Sequence, residues 1–405
     1  MAHQRLRLFS VTTLSLMTAT AIAGGYKIPE NSVKSTALSA AYVANAHGAD
    51  AAYHNPAAMV FNQDRSLLEG NLTYIHLSEI DFDGNVTSAL IGGSSGPISE
   101  SSEDQNFLIP SFHYSSPAVG NARFGLSVIV PTGLTKRWKS PVARSFAEKF
   151  SLETVEINPS AAYKLNDSFS AALGLRAIYT EGSVRSKNPT STVIRDMDGD
   201  SWDYGYNLAF LYKATPELDI ALTYRSNMDL DIEGKARLTV GALNYYGFAA
   251  VSVPVPAASA LALAYDVSPA TTLEFVFERT QWSEYEQLDF NYNNTVHPVI
   301  EGVFGTPVAK DWDDTNTFRI GLTHQYDNQW AIMAGYAYDE TPAPESTLGF
   351  DLPDSDAHIF SLGSRYKMEK DTTIGGAILY DYKESRNVDN NSIDGKFTDA
   401  SALLL

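Results

Sequence analysis

Two short runs carry residue types that could perform hydrolysis. His76-Leu77-Ser78 and His113-Tyr114-Ser115 each set an imidazole and a hydroxyl two positions apart, which is one face of an extended chain. A lipid-ester hydrolase built into a barrel wall would use such a pair as base and nucleophile. Neither pair shows an Asn partner on the adjoining segment, and a Ser-rich chain produces this spacing by chance, so no catalysis is expected. Asp196-Met197-Asp198-Gly199-Asp200 begins like a calcium loop, but Ser201 occupies the sixth position, where Gly is required, and Asn207 the twelfth, where Glu is required. It reads as a solvated turn, with weak divalent binding as the lesser alternative. The chain has no cysteine, no zinc-type spacing and no Gly-rich phosphate loop. No metal or cofactor is expected.

The elements that position these residues follow from the composition. Arg5 and Arg7 precede an apolar run from Leu8 to Ile22 that ends at Ala21-Ile22-Ala23, the pattern of a secretory leader over residues 1–23. A spanning helix is the weaker reading, because the apolar core is short, contains Thr and Ser, and runs into Gly24-Gly25. The 405-residue chain has a net charge of −19, and removing Arg5 and Arg7 with the leader makes it −21. Such an acidic surface argues against nucleic acid as a partner. Later in the chain, the longest apolar candidate, 251–265, is broken by Pro254 and Pro256. If the processed chain enters a membrane, it does so as strands.

From Leu67 onward the apolar residues alternate. Leu68, Leu72 and Tyr74 oppose Glu69, Asn71 and Thr73, and Leu218, Ile220, Leu222 and Tyr224 oppose Asp219, Thr223 and Arg225. Fourteen strands are predicted, near 65–82, 103–115, 121–134, 150–164, 168–181, 201–213, 217–232, 253–266, 271–287, 313–326, 329–340, 356–367, 371–383 and 395–405. Many end on an aromatic, such as Tyr163, Tyr179, Tyr212 and Tyr265, as a girdle at a lipid headgroup layer requires. A soluble β-sandwich is the alternative. The connections decide between them: long segments such as 182–200, 233–252 and 288–312 alternate with short ones such as 116–120 and 267–270. That segregation is the signature of an outer-membrane barrel. The fold class is all-β, a transmembrane barrel of fourteen antiparallel strands over 64–405. Glu69, Glu156, Arg176, Asp219, Arg225, Glu274, Glu278, Arg319 and Arg365 fall on its inner face, where they either line water or grip a plug.

Residues 24–63 answer to a different pattern. Small-residue runs, STALSAAYVANA and ADAAYHNPAAM, favour short helices, with Asn55 as a cap and Pro56 in a first turn that needs no N–H there. A compact helical piece ahead of a barrel belongs in the lumen, as a hatch.

These residues resemble the FadL-type outer-membrane transporters of long-chain fatty acids and other hydrophobic compounds. The resemblance is carried by GYKIPENSVKSTALSAAYVANAHGADAAYHNPAAMVF with its Asn55-Pro56-Ala57 motif, by VIVPTGLTKRW, QWSEYEQL and GYAYDETPAPE, and by LPDSDAHIFSLGSRY. It implies passive, non-enzymatic passage of long-chain fatty acids or related hydrocarbons across the Gram-negative outer membrane. The implied route runs from an apolar groove among the outer loops, through an internal site gated by the hatch, to a lateral exit at a kink in the third strand. In this sequence the kink falls at Pro131 and Gly133, where a strand end at the membrane edge is the competing reading. The uncharged stretch with Leu238, Val240, Leu243, Tyr245, Tyr246 and Phe248 reads as an outer loop, either a landing surface for acyl chains or packed on its neighbours. The family places an apolar residue and, two positions later, an Arg at the outer end of the fifth strand. Here Val184 matches, but Arg185 is one position off, which turns its side chain to the other face and leaves a neutral hydrocarbon open as cargo. Tyr26 and Ile28 are the hatch residues expected to touch ligand. A monomer is expected, surrounded by outer-membrane lipids and inserted by the barrel assembly machinery. The chain stops at SALLL rather than on an aromatic, so a shortened last strand or an incomplete chain is expected. The alternatives to this function are a general diffusion porin and a barrel phospholipase.

Overall fold

Residue alternation closes into one antiparallel wall. A computed structural model describes residues 24–292, 296–368 and 371–405; the leader read over 1–23 lies outside them. Numbering the wall strands in chain order, β1 is Leu67–Leu77, β2 Gln105–Ser115, and β3 is split into Ala122–Ile129 and Gly133–Lys136. Then follow β4 Lys149–Lys164, β5 Phe169–Lys187, β6 Val193–Thr215, β7 as Leu218–Arg225 and Met228–Val240, and β8 as Leu243–Val255 and Ala258–Ser268. The series ends with β9 Thr271–Thr280, β10 Thr315–Gln325, β11 Trp330–Asp339, β12 Ala357–Lys367, β13 Thr373–Lys383 and β14 Ser401–Leu404. Each pairs with its neighbours, and Leu404 of β14 sits opposite both Leu379 of β13 and Ile75 of β1, which closes the ring.

The outward positions are greasy and uncovered: Leu68 is 69% exposed, Leu72 63% and Leu175 61%. A whole wall of such side chains is stable only against hydrocarbon. Short turns such as 165–168, 216–217 and 269–270 gather at one end, and the long connections 78–104, 281–314 and 340–356 at the other.

Two expected long connections are absent. Residues 182–200 and 233–252 are strand, joined by tight turns at 188–192 and 241–242, and β6 runs for 23 residues where about 9–11 suffice to cross a bilayer. The physical reason is that alternation continues above the membrane with a different outer partner. Met197, Ile232 and Leu238 still point inward, while Asp196, Asp198, Glu233, Lys235 and Arg237 point out to water rather than to lipid. The calcium-like run is therefore an extended segment of β6 and forms no loop.

The hatch fills the lumen. Its first helix, α1 (Val33–Ala37), begins on a reciprocal cap between Ser32 and Ser35. The second, α2 (Ala51–His54), leads through Asn55 into a 3₁₀ turn, Pro56–Phe61. Asn55 accepts from Ala57 N–H at 3.1 Å and its own amide donates to Val43 O at 2.9 Å, so a single buried side chain ties two hatch segments together.

The inward charges grip this plug. Glu274 accepts from the backbone N–H groups of Val43 and Ala44, both at 2.6 Å, and Arg319 donates to Ser39 O at 3.2 Å. Arg225 lies 4.2 Å over the Tyr53 ring and 2.5 Å from Glu156, which also pairs with Arg176 at 2.9 Å. Close packing completes the hold: a Cβ on Gly335 of β11 would lie 2.1 Å from the Leu38 carbonyl carbon, so only glycine lets the hatch chain pass there. Within the hatch, Lys34 and Asp50 form a buried ion pair at 2.8 Å.

Candidate functional site: an apolar path and a break in the wall

The inner faces of β4 to β8 form an apolar cavity, partly open to solvent and lined by Tyr26, Leu134, Leu152, Val184, Met197 and Phe290 among others. One row of its wall is backbone: Gly182, Gly199 and Gly234 are directly opposite one another on β5, β6 and β7. Its floor is aromatic. The Tyr26 ring stands 4.8 Å from Trp282, 5.8 Å from Trp312 and 6.1 Å from Tyr285, and its hydroxyl donates to Pro254 O. Apolar cargo therefore finds buried rings and few unpaired polar groups.

Beyond this floor the wall is broken. β3 loses its ladder at Val130, Pro131 and Thr132, and the tip of the hatch inserts there instead: Ile28 N–H donates to Pro131 O at 2.9 Å and Gly133 N–H to Tyr26 O at 3.0 Å. Lys27 and Thr132 are bridge partners. On the other side, β2 pairs with β3 only through Phe112–Ser115, so Gln105 to Ser111 have no ladder partner on that edge. Ile28 is buried behind this opening with Phe107, Ile109 and Val130. A second cavity, lined by Gly25, Leu77, Ile80, Leu134 and Ala402 among others, shares Leu134 with the first and meets the hatch chain at Gly25. The tip thus borders the first cavity through Tyr26 and backs the gap through Ile28.

A family described as outer membrane protein transport protein (OMPP1/FadL/TodX) matches residues 14–402. The chain belongs to this family. It is 24% identical to the long-chain fatty acid transport protein of Escherichia coli (strain K12), over 92% of this chain and 91% of that protein. The crystal structure of a Pseudomonas aeruginosa FadL homologue superposes with a TM-score of 0.82 at 20% identity, covering 94% of this chain and 98% of the other. The toluene transporter TodX of P. putida does so at 0.69 and 15% identity, covering 92% and 96%. These likenesses are of fold. With the closed barrel they place the protein in the Gram-negative outer membrane.

In this FadL-type barrel the residues singled out from sequence divide into three groups. Tyr26 and Val184 line the apolar cavity, and Ile28, Pro131 and Gly133 meet at the break in β3. Leu238 is buried in the outer apolar cluster, with Val240, Leu243 and Tyr245 packed against it. These belong to the β7–β8 hairpin and not to a loop, because Leu238 is paired opposite Tyr245. Tyr246 and Phe248 fall on the outer face, Tyr246 being 70% exposed. Arg185 also faces outward, 2.9 Å from Asp196 and 3.7 Å from Asp198, so it is no part of the cavity.

The hydrolytic pairs are not assembled. Contrary to expectation, His76 does have an Asn on the adjoining strand, Asn106 at 2.9 Å. However, Ser78 Oγ donates to Asp399 O at 2.7 Å and accepts from Ser401 N–H at 2.8 Å, which commits it to the backbone. His113 bridges Ser127 and Asn31 O, which makes it a support for the hatch. The named relatives are transporters, which accords with a non-enzymatic reading.

Sequence reasoning missed Trp282, Tyr285, Phe290 and Trp312. The aromatics lie in the 281–314 connection, where no periodicity singles them out; their only signal is the density of rings in QWSEYEQLDFNY followed by Trp312.

Glu30, just past the tip, is buried with neither carboxylate oxygen bonded. Burial pushes its carboxyl up to about 7, against the pull of Arg319.

Proposed function

We propose that the protein passes long-chain hydrophobic molecules from the outer mouth into the outer leaflet through the side of the barrel. Cargo leaves water for the cavity of Tyr26, Val184 and Met197, because burying acyl surface removes apolar area from solvent. The hatch tip then withdraws from β3, which joins the cavity to the opening at Phe107, Ile109 and Val130. The cargo moves sideways and never crosses the polar clamp around the hatch body. The single observation that supports this most is the seating of Tyr26 to Ile28 in the ladder that Pro131 interrupts. The names of its relatives favour fatty acids or aromatic hydrocarbons as the cargo class.

The chain has no cysteine, so an engineered pair is unambiguous. Lys27→Cys with Thr132→Cys joins two residues that already face each other across the bridge. Oxidation should abolish uptake of a labelled fatty acid by cells, and reductant should restore it. Undiminished uptake through the locked protein would exclude the tip as the gate. Sugar uptake by vesicles carrying the unmodified protein would instead favour a general diffusion pore.

A further inference from the structure

The outward side chains of β4 to β8 form cross-strand rows, each step up the wall being two residues. At the edge of the apolar band Tyr179 opposes Trp202, with ring centres 5.3 Å apart, as a girdle at the headgroup layer requires. One step outward, Glu153, Glu181, Asp200 and Glu233 stand directly opposite one another across β4, β5, β6 and β7. Two steps beyond them, Lys149, Arg185, Asp196, Arg237 and Tyr246 form a row across all five strands. The guanidinium of Arg237 lies 5.7 Å from the exposed Tyr246 ring. Glu153, Glu181 and Asp200 below and Lys149, Arg237 and Tyr246 above line one depression open to solvent. It lies across the wall from the apolar cavity, which shares its Gly182, Gly199 and Gly234. Between the two charged rows Ser183 also lines the depression; it is 8% exposed, and its hydroxyl has no hydrogen-bond partner among the described residues.

Like charges at opposed positions weaken a sheet, so the carboxylate row calls for a cation. Among the described residues no three such groups converge closely enough to hold a metal alone. A divalent ion there needs oxygens from a partner to complete its shell. The upper row calls for an anion: Arg185 is engaged by Asp196 and Asp198, whereas Lys149, Lys235 and Arg237 carry no ion pair among the described residues. A partner that answers both rows is polyanionic. It meets the cations directly, reaches the carboxylates through bound metal, offers hydroxyls to Ser183 and a ring face to Tyr246, and is anchored just beyond the apolar layer. A phosphorylated glycolipid of the outer leaflet has that chemistry. We infer that this face of β4 to β8 binds the phosphorylated inner sugars of lipopolysaccharide, with Mg²⁺ or Ca²⁺ bridging them to the row of Glu153, Glu181, Asp200 and Glu233. This site lies outside the cargo path, so it goes beyond the transport reading and does not rest on it.

The test measures binding of rough lipopolysaccharide, lipid A with the inner core only, to the full barrel in nanodiscs of zwitterionic lipid, with Mg²⁺ present or chelated. The parent should bind more tightly with Mg²⁺. Lys149→Ala with Arg237→Ala should weaken binding by about 5- to 20-fold, since each exposed charge contact contributes a few-fold. Glu181→Gln with Glu233→Gln should still bind, which shows a folded barrel, but with the dependence on Mg²⁺ lost. Parent-like binding by both double variants would overturn the site. So would equal affinity of the parent for dephosphorylated lipopolysaccharide, or for phosphatidylglycerol in place of the glycolipid. A parent barrel with no affinity for lipopolysaccharide would overturn it too, and would leave the transport reading untouched.

Discussion

The body and the tip of the hatch are held by different physics. The body, from Val33 to Phe61, is fixed by charge-assisted hydrogen bonds from Glu274 and Arg319, by the Tyr53 and Arg225 stack, and by close packing on Gly335. The tip, Tyr26 to Ile28, is held by two backbone hydrogen bonds, by ring contacts, by the Tyr26 hydroxyl on Pro254 O and the Thr132 hydroxyl on Tyr26 O, and by Lys27 on Glu278 at 2.5 Å and on Thr280 at 3.0 Å, and it is followed by an unbonded carboxylate. A polar network inside a protein costs much to break halfway, whereas a short ladder on an interrupted strand opens one bond at a time. On the proposed route, the body is the fixture and the tip the part that moves.

The strongest way to break this contrast is at the body. Gly335→Val must push the Leu38 backbone, and overpacking of this kind costs about 1–3 kcal/mol or more. Loosening the body should open the lumen to hydrophilic solutes, read as raised single-channel conductance and sensitivity to large polar antibiotics. Unchanged conductance would show that the body is not what seals the barrel.

At the tip, Gly25 has φ +75°, and a Cβ there would lie 2.3 Å from the Trp282 ring. Gly25→Ala adds about 1–2 kcal/mol of left-handed strain to that clash. It should raise fatty acid uptake several-fold while leaving hydrophilic conductance at the parent level. A rise in both would erase the distinction between tip and body.

The smallest effect is expected at Glu30. Its carboxyl is raised when seated, to about 7 from an ordinary 4.5, so seating is strongest below about 4.5 and weakens as pH rises through 7. Uptake by the parent should therefore increase from pH 5 to pH 8, and Glu30→Gln, neutral throughout, should flatten that rise and lower uptake at pH 8. A variant that keeps the parent's pH profile would locate the titration elsewhere.

Much of this was legible because a lipid-facing wall imposes a period of two on every strand, as in Leu68, Leu72 and Tyr74. Legibility failed where the outer partner changed from lipid to water. Above the membrane, β5 to β8 carry Asp196, Asp198, Glu233 and Lys235 on the outside, and charges at alternate positions read as loop. Met197 was hidden for that reason, inside a run that looked like a calcium loop. The aromatic floor was hidden for another: Trp282, Tyr285 and Trp312 converge from an irregular connection, and no local pattern encodes their meeting. The kink in β3 came from resemblance, but the seating of the tip there was not foreseen, since Pro131 alone marks an interruption and not what fills it.

The 23-residue length of β6 has one more consequence. Roughly a dozen of its residues exceed what a bilayer requires, about 40 Å of ribbon standing among the surface sugars. Because the cavity wall is made from this ribbon, the proposed route would catch a greasy solute at the height of the saccharide coat and lower it past that coat.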